Sequence, residues 1–318
     1  MAANQQPLLV IGAGVIGLTT ALRLAEAGLP VRVLADEPPA RTTSAAAGAM
    51  WEPYLTEHPD MDRWSRVTYE RLLAEADDPR TGVRVVRGVE ATRDRIDVPD
   101  WARELPEHTE VDPGTLPPGF ATGWGFTTAL IDMPVYLARL AERLERHGVR
   151  IERAHVTDVT SLTGTAPVVV NCTGHRAAQL LGDEAVEPIR GQLVAVRNPG
   201  ITEFFCEHTD DPTAVIYLLP HGDTLILGGS AEKGYERPEP DPRITREILQ
   251  RAVALFPALA GAEVLGERVG FRPYRAPVRV EAEGRVIHNY GHGGAGVTLS
   301  WGSAGDVVAM AWEIIGRR

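Results

Sequence analysis

The stretch Pro7 to Ile11 is apolar and rich in β-formers, and Gly12 to Gly17 is a turn punctuated by glycine. Leu18 to Ala27 then carries apolar residues at helical spacing, closed by Gly28, and Val31 to Leu34 reads as a second strand. Strand, helix, strand in that order is a βαβ unit, the element from which parallel sheets with helices on both faces are built. From 51 to 120 the pattern changes. Trp51, Trp64 and Trp101, many prolines and dense charge surround one expected helix, Met61 to Ala76. A second helix, Met133 to His147, sets Leu137, Leu140 and Leu144 on one face and stops at Gly148. Val168 to Val170 and the turn Asn171-Cys172-Thr173-Gly174 look like a central buried strand with its exit loop. Alternation over Gln192 to Val196, Ala214 to Leu219 and Thr224 to Leu227, with His221-Gly222-Asp223 as a hairpin turn, predicts an antiparallel sheet. A helix from Ile244 to Phe256, a strand at Val286 to His288, a glycine-rich loop and a helix from about Thr298 complete the expected elements.

A length of 318 residues suits about two domains, and here they are interleaved. The net charge of −11 comes from acids and bases mixed along the chain, which argues against nucleic acid or an anionic membrane as partner and for a small molecule. Cys172 and Cys206 supply neither a disulfide framework nor metal-ligand spacing, so no metal is expected and a reducing compartment fits. No run approaches the roughly 18 apolar residues that span a bilayer. The start MAANQQP lacks a basic leader and the end Ile-Gly-Arg-Arg is not a Ser-Lys-Leu address, so a cytoplasmic protein is expected.

Gly12-x-Gly14-x-x-Gly17 between a strand and a helix, with Asp36 about 20 residues on at the end of the second strand, has the context of dinucleotide binding. Gly12 permits the tight turn, Gly14 lets backbone approach a pyrophosphate, and Gly17 lets helix and strand pack. The helix N-terminus offers N–H groups to the anion, and Asp36 can accept ribose hydroxyls. This motif does not choose FAD over NAD. The following loop, Arg41-Thr42-Thr43-Ser44-Ala45-Ala46-Ala47-Gly48, can deliver hydroxyls and backbone N–H groups to a long extended cofactor.

The segments VIGAGVIGLTTALRL, TTSAAAGAMWEPY, VVNCTG, RGQL, YLLP followed by TLILGGS, GERVGFRPYR and VIHNYGHGGAGVTLSWGSA occur in an order that resembles the D-amino-acid oxidase family, across residues 8 to 310. The resemblance implies an α/β fold: a Rossmann-like FAD-binding domain from 1–50, 148–185 and 265–318, interleaved with an antiparallel-sheet α+β substrate domain from 51–147 and 186–264. It implies FAD as cofactor and a D-amino acid and molecular oxygen as partners, with a homodimer left open. The implied reaction is hydride transfer from the substrate α-carbon to flavin N5, yielding a 2-oxo acid, ammonia and hydrogen peroxide.

By the same resemblance, Arg272 clamps the substrate carboxylate, where a planar guanidinium offers two parallel donors. Tyr217 assists with its hydroxyl, and the Gly294 carbonyl accepts from the amine. FAD would be held by Gly12, Gly14, Val15, Ile16, Gly17, Asp36, Thr42, Thr43, Ser44, Gly48, Met50, Val156, Cys172, Gly174, Gly293, Gly294, Gly296, Val297 and Thr298. Arg275 reads as a surface residue and His292 as a structural hydrogen-bonder rather than a base. Thr213 stands where the family presents a second aromatic, and the stretch Cys206 to Pro212 is short for a lid. Glu52 falls near the pocket where mammalian relatives carry an amide. D-aspartate oxidases place an arginine where this chain has Ala231, so neutral substrates are expected to beat acidic ones, with Lys233 poorly placed to compensate. D-aspartate or glycine oxidation on the same scaffold, or a non-oxidase dinucleotide-binding protein, are the alternatives.

Overall fold

The computed structural model describes residues 6–52, 56–209, 211, 213, 215–235 and 237–316. The N-terminal start, the last two arginines, Pro53 and Tyr54 of the tryptophan motif, and Pro212 and Ala214 before the tyrosine strand lie outside the described residues.

Leu8–Ile11 is buried at all four positions and pairs in parallel with Val31–Ala35 on one side and Val169–Asn171 on the other. Ile151–Arg153 extends this parallel array past Val31–Ala35, and Val286–His292 extends it past Val169–Asn171. Central strands covered on both faces must be apolar throughout, which is why LLVI and VVN show no alternation.

Val286–His292 is also the antiparallel neighbour of the 20-residue strand Val264–Glu283. Its first part pairs with Glu187–Arg197, from Val264 opposite Val196 to Tyr274 opposite Glu187. It meets Val286–His292 first at Tyr274 opposite His292 and, after an irregularity between Tyr274 and Arg279, pairs with it from Arg279 to Glu283. Beyond Glu187–Arg197 follow Thr224–Gly228, Tyr217–His221, Phe204–Glu207, Val83–Thr92, Thr122–Ile131 and Thr109–Glu110. Together with Glu232–Lys233 beside Glu187–Arg197, the described residues form one mixed sheet of 14 strands.

Helix Val15–Glu26 packs against the last helix, Gly296–Gly316, and against Met133–Arg146; Met61–Glu75 packs on the last helix from the other side. The crossing is close because a β-carbon at Gly302 would collide with the Trp64 backbone. Polar groups in this interior are matched: Trp301 Nε1 donates to the Tyr136 hydroxyl at 2.8 Å, and Thr68 Oγ1 accepts from the Trp301 and Gly302 amides.

Several elements differ from expectation. The last helix begins at Gly296 rather than Thr298, and the strand before it runs through His292 rather than stopping at His288. The tyrosine strand begins at Tyr217. Val83–Thr92 and Thr122–Ile131 are two ten-residue strands in or just beyond a region expected to hold only one helix. Arg84 and Arg87 interrupt the apolar alternation of the first. The long strand Val264–Glu283 was equally unforeseen, since Pro273 and Pro277 speak against a central strand.

Candidate active site

One cavity of about 790 Å³ runs from the glycine turn after Leu8–Ile11 to the face of Tyr217–His221. At its first end, helix Val15–Glu26 starts at Gly14, which offers no side-chain cap, so the first-turn amides after Val15 have no intrahelical partner and suit an anion. The Val15 amide donates to Ser44 Oγ at 3.0 Å, which ties the small-residue loop to the helix start. Gly12 adopts φ +113°, and a β-carbon there would collide with the Cys172 carbonyl oxygen. A β-carbon at Gly17 would strike the Gly12 carbonyl, so its role is close packing of helix on strand.

Of the residues expected to hold the cofactor, Gly12, Gly14, Val15, Ile16, Asp36, Thr42, Thr43, Ser44, Gly48, Met50, Val156, Cys172, Gly174, Gly293, Gly294, Gly296 and Val297 line this cavity. Gly17 and Thr298 stand behind its wall. Thr298 Oγ1 donates to the Glu52 carbonyl at 2.7 Å and accepts from the Glu52 amide at 3.1 Å, so the side chain expected at the flavin positions Glu52 instead. The Asp36 carboxylate is engaged by Arg176 and by His155 Nδ1 at 3.2 Å; the Arg176 hydrogen bond is the main cause holding its pKa below the usual range. In the final turn the positive φ falls on Gly291 and Gly293, not on Gly294. His292 is 1% exposed and its Nε2 has no partner; burial pushes its pKa down to about 3, so the ring is neutral at ordinary pH.

At the other end stand Arg272 and Tyr217. Both rest on glycine. A β-carbon at Gly191 would collide with the Arg272 guanidinium, and one at Gly228, the direct cross-strand partner of Tyr217, would collide with the phenol ring. The RGQL and LGG motifs thus clear space for the two flat side chains. Arg272 Nη1 donates to the Ser230 carbonyl at 3.0 Å, and no carboxylate pairs with the guanidinium among the described residues. Burial raises the Tyr217 pKa, against the opposing pull of Arg272, so the phenol keeps its proton.

Arg275 is not a surface residue. Its side chain is 18% exposed and paired with Asp183 at 2.9 Å, away from the cavity. Lys233 is 64% exposed and bonded to Glu187 at 3.0 Å; neither it nor Ala231 reaches the cavity wall. Thr213 is turned onto Asp211, while Thr209 and Val215 line the cavity in its place.

Sequence reasoning missed a buried acid cluster beside Tyr217. Glu52 lines the cavity, with the Cys206 thiol 3.9 Å from its Oε2; fully buried Glu90 lies next to it, and Glu90 Oε1 is 2.7 Å from His208 Nδ1. Burial first, and then the Glu90 carboxyl, push the Glu52 pKa well above the carboxylate range; burial lifts Glu90 to about 8. The signal available was an acid at position 90 inside the run VRGVEAT.

The profile of the family described as FAD dependent oxidoreductase matches residues 8–310. The chain belongs to that family. As an FAD-dependent oxidoreductase it takes FAD, and the cavity fits the group, because the glycine turn, uncapped helix start and Thr42 to Gly48 loop share one wall. It is 43% identical to a D-amino-acid oxidase of Rubrobacter xylanophilus over 310 residues, covering 95% of this chain and 94% of that one. A D-amino-acid oxidase of Streptomyces coelicolor is also 43% identical, covering 96% of each chain. In structure it is similar to glycine oxidase from Bacillus cereus, with a TM-score of 0.80 at 21% identity, covering 99% of this chain and 96% of that one.

Proposed function

We propose that this FAD-dependent oxidoreductase is a D-amino-acid oxidase, converting D-amino acids, water and oxygen to 2-oxo acids, ammonia and hydrogen peroxide. The observation that carries this reading is the Arg272 guanidinium, which has no carboxylate partner among the described residues and faces the same cavity as the dinucleotide cradle. Arg272 binds the substrate carboxylate through paired donors, and the protonated Tyr217 hydroxyl adds a further donor. The Gly294 carbonyl accepts from the neutral amine. Three fixed points at a chiral carbon select one enantiomer and hold its Cα–H in one direction, so the residues act mainly by positioning. When bound, FAD would supply the two-electron redox chemistry, with oxygen as the final acceptor. The imino acid released into water hydrolyses.

Residues 1–50, 148–185 and 265–318 serve as the FAD-binding domain in this reading, and 51–147 and 186–264 as the substrate domain. Two free, buried cysteines accord with action in the cytoplasm. Ala231 carries no charge and Lys233 is held by Glu187, so neither pairs a second substrate carboxylate, and neutral substrates are preferred over acidic ones.

Peroxide release from a panel of D- and L-amino acids tests the assignment. We expect D-specific turnover, with at least one neutral D-amino acid exceeding D-aspartate in kcat/KM by about tenfold, or roughly 1.4 kcal/mol. Faster oxidation of D-aspartate than of every neutral substrate would make the protein a D-aspartate oxidase, and glycine faster than all D-amino acids would make it a glycine oxidase.

A further inference from the structure

Glu90, Cys206, Tyr217 and Gly228 occupy four adjacent strands in one register, so their side chains share a face of the sheet. Arg272 lies on the Gly228 side of this row, since its strand follows Thr224–Gly228 and Glu187–Arg197 in the sheet order. Glu90 and Cys206, with Glu52 against them, lie on the opposite side of Tyr217. Strands are spaced about 4.8 Å apart, which puts the acid pair on the order of 5–10 Å beyond the tyrosine. A four-carbon chain ending in an ammonium group reaches the near end of that range, where the Glu52 side chain extends toward it from the cavity wall.

Among the described residues, the charged or titratable groups facing Glu52 come from three neighbouring strands. Glu90 comes from Val83–Thr92; Cys206, Glu207 and His208 come from Phe204–Glu207 and the residue after it; Tyr217 comes from the next strand. His208 is bonded to Glu90, and Glu207 is already paired with Arg93 at 2.7 Å. No arginine or lysine pairs with Glu52 among the described residues; its neighbours are the fully buried Glu90 carboxyl, which it meets acid to acid, and His208 behind that carboxyl. An acid in a cavity wall without a cation is costly unless a ligand supplies one.

We propose that Glu52, backed by Glu90, is a specificity-determining residue that recognises a cationic substrate side chain, admitting basic D-amino acids by an ion pair formed across Tyr217 from the carboxylate clamp. This rests on the oxidase reading above. Because burial and Glu90 favour the protonated form of Glu52, the preference strengthens as pH rises and Glu52 ionises. It ends where the substrate ammonium loses its own proton, near 10.4 for a free lysine.

The test compares D-lysine with D-norleucine, close in length but lacking the cation, in wild type, Glu52→Gln and Glu90→Gln, from pH 6 to 9. In parallel, hexanoate and 6-aminohexanoate are titrated against the flavin spectrum of the FAD-loaded protein without turnover. In wild type the lysine-to-norleucine ratio of kcat/KM should rise with pH, and 6-aminohexanoate should gain on hexanoate in the same range. Glu52→Gln should lower both ratios at least tenfold at pH 9. Glu90→Gln, which keeps the Glu52 carboxyl and removes its acidic neighbour, should retain the preference and move its onset to lower pH. Ratios within twofold of wild type in Glu52→Gln overturn the inference, as does loss of the preference in Glu90→Gln. If Glu52→Gln does not retain FAD, the onset shift in Glu90→Gln decides. Absence of turnover of both D-lysine and D-norleucine in wild type sinks the oxidase reading instead, while the carboxylate titration still judges Glu52.

Discussion

Arg272 owes its effect to what surrounds it. A guanidinium left without a carboxylate in a cavity wall is poised for an anionic ligand, and Gly191 beneath it lets the plane lie flat. Arg272→Leu removes both donors while keeping an apolar body over Gly191. In the oxidase reading, kcat/KM for the best D-amino acid should fall by at least about a hundredfold, roughly 2.7 kcal/mol. Flavin content should be retained, because no cradle residue has changed. Steady-state kinetics with an absorbance spectrum checks both, and an unchanged kcat/KM removes Arg272 from the carboxylate site.

At the scale of elements, the strand-turn-helix at the N-terminus and the strand Val83–Thr92 show opposite uses of burial. Gly14 opens helix Val15–Glu26 into the cavity, where a β-carbon would lie 3.1 Å from the Ser44 hydroxyl. Gly14→Val should therefore yield a folded protein, by circular dichroism, that purifies without flavin; full FAD occupancy would count against the cradle. Glu90, by contrast, sits on a strand that buries its carboxyl completely and raises its pKa to about 8. Between about 4.5, the ordinary value, and 8, the folded protein holds a proton that the unfolded chain has lost. The stability this group contributes is thus present below pH 4.5 and lost as pH rises through 8. Glu90→Gln escapes that loss. Its melting temperature relative to wild type should climb from pH 5 to pH 8, and a difference independent of pH would show that Glu90 ionises normally.

For the whole molecule, the decisive feature is that the cavity draws its walls from Ile11 to Val297, so one ligand touches both the parallel and the antiparallel parts of the sheet. A cofactor bound only by the native arrangement stabilises it by mass action. At a hundredfold excess over Kd this amounts to about 2.7 kcal/mol, or a melting shift on the order of 5 °C. Removing FAD should lower the melting temperature by about that much, and added FAD should restore it in a concentration-dependent way. Identical melting curves for stripped and loaded protein would mean that the cavity is not its binding site.

What the sequence determined by itself was local. The run Leu8–Ile11, the glycine spacing and the helix after it lie within 20 consecutive residues, where steric and hydrogen-bonding rules act between near neighbours and leave a readable pattern. The same holds for helices Met61–Glu75 and Met133–Arg146, each found within a residue of its expected end. Arg272, Tyr217 and most of the residues expected at the cofactor could be singled out by motif resemblance and line one cavity, yet the sequence could not show that Gly191 and Gly228 clear the space for the two flat side chains. Tertiary structure alone decided the rest. Glu52 meets Cys206 across 154 residues, and Glu90 meets His208 across 118, through strand pairing. No local rule couples such positions, because their proximity is fixed only when distant apolar strands find one register. The Pro-containing strand Val264–Glu283 belongs to the same class. Propensity argues against it, and its two partners, Glu187–Arg197 and Val286–His292, hold it in place.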